Sequence, residues 1–148
     1  MYNFSKTSVE KLKGLHPRLV EFANKLLEVS PYDFCITQGI RSVEEQQKLY
    51  AQGRTLPGSK VTNCDGIKYK SNHQAHDDGL GYAFDIAILI DNKINWDSKN
   101  YIKVGNAAME IMKKYNVEWG GNWKSFKDYP HFELIGGRKW MIKYFMAL

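Results

Sequence analysis

Residues 118–133 constrain the fold and the chemistry of this chain most, because they place a carboxylate three residues before a histidine among aromatic residues and glycines. These two residues are Asp128 and His131. Upstream, His73 and Asp85 supply another imidazole and another carboxylate. Two imidazoles and a carboxylate suit zinc, and three protein ligands leave the fourth tetrahedral position open for water, as in catalytic zinc sites. The sequence therefore predicts a fold that brings these segments together, and a metallohydrolase.

Three segments carry a resemblance to a known family. Residues 71–73 (Ser-Asn-His) precede Asp85, residues 128–131 (Asp-Tyr-Pro-His) follow a Trp-Gly-Gly run, and residues 37–55 contain Arg41. With these segments in this order, the chain resembles the peptidoglycan-cleaving zinc peptidases of the D-alanyl-D-alanine carboxypeptidase and dipeptidase superfamily, whose motif is S-x-H-x(6)-D followed by [DE]-x-x-H. Within it, the chain is most similar to the phage L-alanyl-D-glutamate endopeptidase (endolysin) branch, over nearly its whole length.

This resemblance implies an α+β fold in which helices pack on a small antiparallel sheet, as in hedgehog-type domains and D-Ala-D-Ala peptidases. It implies one zinc peptidase domain over residues 1–148, with no separate cell-wall-binding domain. A length of 148 residues suits one domain with a sizeable core. The implied function is zinc-dependent hydrolysis of the L-alanyl-D-glutamate bond of peptidoglycan stem peptides, by an endolysin that degrades the cell wall during host lysis.

The resemblance also implies roles for individual residues. His73, Asp85 and His131 would bind Zn²⁺, and Asp128 would act as the general base that takes a proton from the attacking water. Arg41 would polarise the substrate carbonyl or stabilise the oxyanion, a task suited to a permanently charged guanidinium. Asp85 alternates with Ala83 and Ala87 on one face of a predicted strand, and this supports its assignment as a ligand. An ionised aspartate among small apolar side chains needs a partner such as a metal ion.

Simpler interpretations stay open for two of these residues. Arg41 could pair with Glu44 or Glu45 at the start of its helix, and Asp128 could cap a turn before Pro130. In either case the side chain would stabilise local structure and take no part in a reaction.

Ser71, Trp119 and Tyr129 are candidate substrate-binding residues. A serine two residues before His73 can hydrogen-bond a ligand or the substrate, and the two aromatic rings are suited to lining a peptide groove. Aromatic side chains are more often part of a hydrophobic core, so burial of Trp119 and Tyr129 is the alternative.

The spacing between the first histidine and Asp85 is longer than in the family motif, so the chain has an insertion within residues 74–80. His73 has the Ser-x-His context and is favoured as the ligand, with His76 as its rival. The insertion also contains Asp77 and Asp78. A solvated loop that turns outward is favoured over a binding site for a regulatory ion such as calcium.

Two other functions compete with the endopeptidase. One is a D,D-carboxypeptidase or dipeptidase, which would use the same metal chemistry to remove D-alanine from the stem peptide. The other is a non-catalytic zinc-holding binding module like the hedgehog-type domains, against which the carboxylate of Asp128 in the base position argues. A lysozyme-like glycosidase is disfavoured, because a two-carboxylate mechanism does not require His73 and His131.

A net charge of +5 and 43% hydrophobic residues indicate a basic, folded protein. The lysines are scattered, with no arginine-rich run, so peptidoglycan is favoured over nucleic acid as the partner. No apolar run reaches the roughly 18 residues of a membrane-spanning helix, and the first residues do not resemble a signal peptide. We therefore expect a monomer that does not insert into the membrane, stays in the host cytoplasm until a holin opens the membrane, and then reaches the periplasm and the cell wall.

Hydrophobic periodicity and turn residues predict the order of helices and strands. Cys35 lies in an apolar run and is expected to be a buried free thiol, while a disulfide with Cys64 stays open. A capping box formed by Ser42 and Glu45 predicts the start of a helix. The predicted elements are a helical region over residues 8–29 that is interrupted before Pro17, a strand over 33–38, a helix over 42–52, a loop or hairpin over 55–70, a strand over 83–90, a helix over 101–115, a strand over 132–135 and a closing helix over 140–148.

Overall fold

The computed structural model describes residues 2–136, which form five α-helices and five short strands. The helix expected over residues 140–148 lies outside the described residues. The helices are α1 (Lys6–Leu12), α2 (Pro17–Val29), α3 (Val43–Ala51), α4 (Ser98–Ala107) and α5 (Met109–Tyr115). The strands are β1 (Asp33–Gln38), β2 (Ala83–Ile90), β3 (Lys93–Asn95), β4 (Val117–Trp119) and β5 (His131–Leu134), and one 3₁₀ turn (Gly120–Asn122) follows β4.

The strands form one antiparallel sheet in the order β1-β2-β5-β4, with β3 paired to the end of β2. In the pairing of β2 with β5, Phe84 lies opposite Phe132 and Asp85 lies opposite His131. Side chains alternate between the two faces of a strand, so the phenylalanines point to one face and the aspartate and histidine to the other. The predicted fold class, helices on a small antiparallel sheet, is confirmed.

The face that carries the two phenylalanines forms the hydrophobic core with α2. The rings of Phe84 and Phe132 are stacked with their centroids 5.6 Å apart. Phe22 of α2 packs on both rings, at centroid distances of 6.2 and 5.7 Å. The apolar positions of α2 that the periodicity indicated are all buried: Leu19, Phe22, Ala23, Leu26 and Leu27.

Local sequence explains where the helices begin. The His16 side chain accepts a hydrogen bond from the backbone N–H of Arg18, and Pro17 takes the first position of α2, where its missing N–H is tolerated. At α3, Ser42 and Glu45 form the predicted capping box, with both reciprocal hydrogen bonds present. The capping box fixes the start of α3 and thereby the position of Arg41, the residue directly before Ser42.

Two strands and one helix break were not predicted. β3 and β4 contain three residues each, too few for an alternating pattern to be recognised. The helix predicted over residues 101–115 consists of α4 and α5, which meet at Ala108. Val104 and Met112 are buried as expected, but Ala107 is exposed because the break rotates the apolar face.

Cys35 and Cys64 are both free thiols. Each is half-buried, so Cys35 is a free thiol as expected but is less buried than expected: it lies on β1, whose side chains alternate between the core and a more open face. Within residues 2–136, no helix has the length and apolar character needed to cross a membrane.

Gly105 of α4 provides a test of how tightly the sheet and helices pack. A Cβ atom at this position would lie 2.6 Å from the Trp119 ring. A helical Gly→Ala change normally stabilises by about 1 kcal/mol, but here we expect Gly105→Ala to lower the free energy of unfolding by about 1–3 kcal/mol through overpacking. Urea denaturation measures the difference. Asn106→Ala, on the exposed side of the same helix, is the control and should change stability by no more than about 0.5 kcal/mol.

Candidate active site

Three potential metal ligands converge on the face of the sheet opposite the core. Asp85 on β2 and His131 on β5 are register partners, and His73 reaches them from the loop before β2. One ligand atom from each residue lies within 4.8 Å of the others. His73 Nε2 is 3.4 Å and His131 Nδ1 is 2.9 Å from Asp85 Oδ1. Ligand atoms about 2.0–2.2 Å from a tetrahedral zinc ion lie roughly 3–3.5 Å apart, so the two distances to Asp85 suit zinc.

Hydrogen bonds to the ring and to the backbone of His73 hold the loop that carries this residue. His73 Nδ1 lies 2.9 Å from the Gly39 carbonyl oxygen, which leaves Nε2 directed at Asp85. The backbone N–H of His73 donates to Ser71 Oγ at 3.2 Å, and its carbonyl accepts from the Arg41 N–H at 2.7 Å. Ser71, a candidate substrate-binding residue, thus caps the turn that presents His73.

The His131 ring has the opposite orientation to that of His73, because its Nδ1 rather than its Nε2 faces Asp85. Its Nε2 lies 2.7 Å from Glu133 Oε1, and the other Glu133 oxygen accepts from Asn72 Nδ2 at 2.8 Å. Both imidazoles therefore direct one nitrogen at Asp85 and use the other nitrogen in a hydrogen bond. This is the usual arrangement of metal-binding histidines, whose second ring nitrogen has a fixed partner.

The charges of the centre are strongly coupled. Burial alone would lower the pKa of His131, but the hydrogen bonds and charges of Asp85 and Glu133 outweigh it and raise this pKa to about 10. Burial opposes ionisation of Asp85, yet the two histidines hold its pKa well below the usual range. Without a metal, His131 is therefore an imidazolium between two carboxylates, and a cation bound there would replace its proton.

Asp128 lies at the open side of this centre. Its side chain is 48% exposed, and Oδ2 is 3.9 Å from His131 Nδ1. Burial and the charge of Asp85 raise the pKa of Asp128, which makes the carboxylate a better proton acceptor. Its backbone N–H donates to Gly120, and its carbonyl accepts from the His131 N–H at 3.2 Å. The backbone of Asp128 therefore holds a turn, as the simpler interpretation expected. Its side-chain carboxylate is still accessible at the open side of the centre.

Arg41 faces the same centre and is positioned by Gln46. Arg41 Nη1 donates to Gln46 Oε1 at 2.7 Å, and the fully buried Gln46 donates in turn to Thr62 Oγ1 and the Cys64 carbonyl. Burial lowers the pKa of Arg41, against the attraction of acidic residues led by Asp85. Among residues 2–136, Arg41 forms no ion pair with the glutamates at the start of α3, so that alternative is not realised.

Trp119 was expected to line a substrate groove, and the structure contradicts this. Its side chain is 4% exposed within the core, where its Nε1 donates to the Tyr129 carbonyl. Tyr129 is partly buried against the same core, with its ring 6.0 Å from Trp119. Trp123, which is half-buried, instead borders the site, with its ring centroid 5.3 Å from that of His131.

His76, the rival of His73, lies outside the ligand cluster. Its ring is stacked on Tyr82 at a centroid distance of 3.7 Å, and burial lowers its pKa to about 4. The insertion does not turn outward as a whole: Gln74 and His76 are buried, whereas Asp77 and Asp78 are exposed. The aromatic ring of Tyr82 explains the inward packing, since it offers an apolar surface to His76.

Three further residues support the site, namely Asn72, Gln46 and Glu133. Glu133 follows His131 by two positions on a strand, and this spacing places both on one face. Gln46 follows Arg41 by five residues across a helix start, and Asn72 is adjacent to His73. The spacing of Glu133 and the position of Gln46 on the helix after Arg41 are visible in the sequence, whereas the contact of Asn72 depends on loop conformation.

An imidazole-carboxylate-imidazole cluster with a second carboxylate and a guanidinium facing it is the arrangement of a metal-dependent hydrolase. Residues 1–135 match the family described as phage L-alanyl-D-glutamate peptidase, and the chain belongs to this family. The resemblance seen in the sequence is thereby confirmed.

Individual relatives agree with this assignment. The chain is 38% identical over 130 residues to the peptidoglycan L-alanyl-D-glutamate endopeptidase CwlK of Bacillus subtilis, covering 82% of this chain and 74% of CwlK. It is 32% identical over 139 residues to the L-alanyl-D-glutamate peptidase of Escherichia phage T5, covering 92% and 91% of the two chains. The crystal structure of the L-Ala D-Glu endopeptidase ChiX of Serratia marcescens matches with a TM-score of 0.67 at 27% identity, over 89% of this chain and 90% of that one. The LD-carboxypeptidase LdcB shares the fold, with a TM-score of 0.52 at 13% identity over 93% and 67% of the two chains.

The raised pKa of His131 predicts how the metal-free protein responds to alkali. The folded-state pKa of about 10 lies above the ordinary value of 6.5, so the stabilisation by the imidazolium is complete below pH 6.5 and is lost as the pH rises through about 10. We expect the free energy of unfolding, measured by urea denaturation with chelator present, to fall by a few kcal/mol more in the wild type than in His131→Gln between about pH 7 and 10. Parallel pH profiles for the two proteins would contradict the assignment.

Proposed function

We propose that this protein hydrolyses the L-alanyl-D-glutamate bond of peptidoglycan stem peptides with zinc as its cofactor. The observation that carries the proposal is the convergence of His73, Asp85 and His131 within 4.8 Å, beside Asp128 and Arg41. Family membership supports the substrate, since CwlK and the phage T5 relative are both named as peptidases of this bond. The substrate class follows from the relatives, and the type of reaction follows from the site.

The donor set fits zinc better than magnesium or calcium. Two imidazole nitrogens and one carboxylate oxygen are typical zinc ligands, whereas magnesium and calcium prefer oxygen donors throughout. His73, Asp85 and His131 would hold the ion, beside the partly exposed carboxylate of Asp128. Bound there, zinc would polarise the scissile carbonyl and lower the pKa of a water molecule towards about 7.

The side chains around the centre have the properties that amide hydrolysis requires. Asp128, with its raised pKa and partly exposed carboxylate, would accept the proton of the attacking water and return it to the leaving amine. Arg41 would donate hydrogen bonds to the oxyanion that forms on the former carbonyl oxygen. Gln46 supports this role, because its contact with Nη1 orients the guanidinium before substrate arrives.

The biological role that we propose is lysis of a bacterial host by a phage or prophage. The support is the relation to the phage T5 peptidase, which extends over 91% of that protein. In this role a holin would release the enzyme to the cell wall. Production of the protein in bacteria with and without a co-expressed holin tests it: lysis only in the presence of the holin is expected, and intact cells in both cultures would refute it.

Digestion of purified peptidoglycan tests the proposed bond and the metal together. We expect new amino termini on D-glutamate, identified by mass spectrometry of the released peptides, and loss of this activity after chelation with recovery on adding Zn²⁺. Release of free D-alanine without new glutamate amino termini would indicate a carboxypeptidase. Undiminished activity in a metal-free preparation would refute zinc dependence.

Asp128→Asn separates the general base from the ligands. Asparagine keeps the shape of the side chain but accepts a proton poorly, so we expect turnover to fall by about 10²-fold or more. Zinc content and thermal stability should match those of the wild type. Loss of zinc from this variant, measured by atomic absorption, would show that Asp128 is a ligand and that its proposed role is wrong.

A further inference from the structure

Glu133 is a buried carboxyl group next to the centre that the proposed reaction does not use. It follows His131 by two positions on β5, so both side chains lie on the same face of the sheet. Its register partner on β2 is Ala83, whose small side chain leaves room for it. Glu133 is only 3% exposed, and a polar group at this depth requires hydrogen-bond partners.

Both carboxyl oxygens of Glu133 have partners from the two ligand segments. Oε1 lies 2.7 Å from His131 Nε2, and Oε2 accepts from Asn72 Nδ2 at 2.8 Å. Asn72 is itself buried, and its backbone carbonyl accepts from the Tyr82 N–H at 2.8 Å. Glu133 therefore links the loop that carries His73 to the strand that carries His131.

The geometry excludes a direct role for Glu133 in the reaction. It contacts the Nε2 edge of the His131 ring, whereas Asp85 and Asp128 lie on the Nδ1 edge, at 2.9 and 3.9 Å. The imidazole ring thus stands between Glu133 and the ligand cluster. A carboxylate on that side can act on the site only through His131.

We propose that Glu133 is a positioning residue, which keeps the ring proton of His131 on Nε2 so that the Nδ1 lone pair points to the metal, while Asn72 holds Glu133 in place. This inference rests on the proposed zinc site. The Gly39 carbonyl has the corresponding contact with His73, but a carboxylate is the stronger acceptor. Glu133 thereby fixes the ring of His131 and makes His131 a more basic ligand.

Zinc affinity tests the inference more directly than activity does. The dissociation constant is measured for folded, full-length protein by competition with a chromogenic chelator. We expect Glu133→Ala to bind zinc about 10–100-fold more weakly than the wild type. Glu133→Gln should recover much of the affinity, because its amide oxygen still accepts from Nε2–H. Asn72→Ala should lie between Glu133→Ala and the wild type, because Glu133 then keeps its contact with His131.

Tyr101→Phe is the matched control for loss of a buried hydrogen bond. The Tyr101 hydroxyl accepts from the Ile88 N–H and donates to the Asn95 carbonyl, on the part of β2 away from the centre. This variant should lose thermal stability but keep the zinc affinity of the wild type. If Glu133→Ala does not fold, Glu133→Gln and Asn72→Ala decide the question by the same measurement.

The outcomes distinguish this inference from the proposed function. Wild-type zinc affinity in all Glu133 and Asn72 variants would overturn the positioning role and leave the zinc site intact. A loss of affinity in Tyr101→Phe equal to that in Glu133→Ala would also overturn it, because the effect would then follow stability alone. A wild-type protein that binds no zinc would refute both proposals.

Discussion

The pairing of β2 with β5 is the constraint on which the site depends. It sets Asp85 opposite His131 on one face of the sheet and Phe84 opposite Phe132 on the other. A slip of one residue would exchange the two faces of either strand, so that a charged group would enter the core and a phenylalanine the site. The stack of the two phenylalanines on Phe22 of α2 therefore stabilises the register that also brings the ligands together.

Burial of polar groups on the other face determines how the loops fold over it. The Gly39 carbonyl, the Ser71 hydroxyl and the Arg41 N–H each satisfy a polar atom of His73. The same requirement explains why Glu133 and Asn72 pair beneath His131. Because a buried donor or acceptor without a partner is destabilising, these contacts leave the loops few alternative conformations.

Residues 74–80, where the motif spacing indicates an insertion, pack beside the ligand cluster. His73 keeps its place at the ligand cluster, and the added residues are held by contacts of their own. His76 stacks on Tyr82, and the Tyr82 hydroxyl donates to Asp78 at 2.7 Å. These residues therefore lie at the edge of the site, where surface segments tolerate insertion.

The sequence by itself determined the fold class, the helices with strong caps or apolar faces, and the motifs that carry Asp85 and His131. The fold class followed from the family resemblance, and the rest followed from local patterns and short motifs: the alternation around Asp85, the capping box before α3, and the Asp-x-x-His segment ending at His131. Only the tertiary structure decided which aromatic residue borders the site and which histidine joins the cluster. Trp119 is in the core because Gly105 and Gly121 leave space for its ring, and His76 is turned away by Tyr82. The partners of Arg41 and His131 likewise depend on contacts between segments far apart in the chain, which no local pattern records.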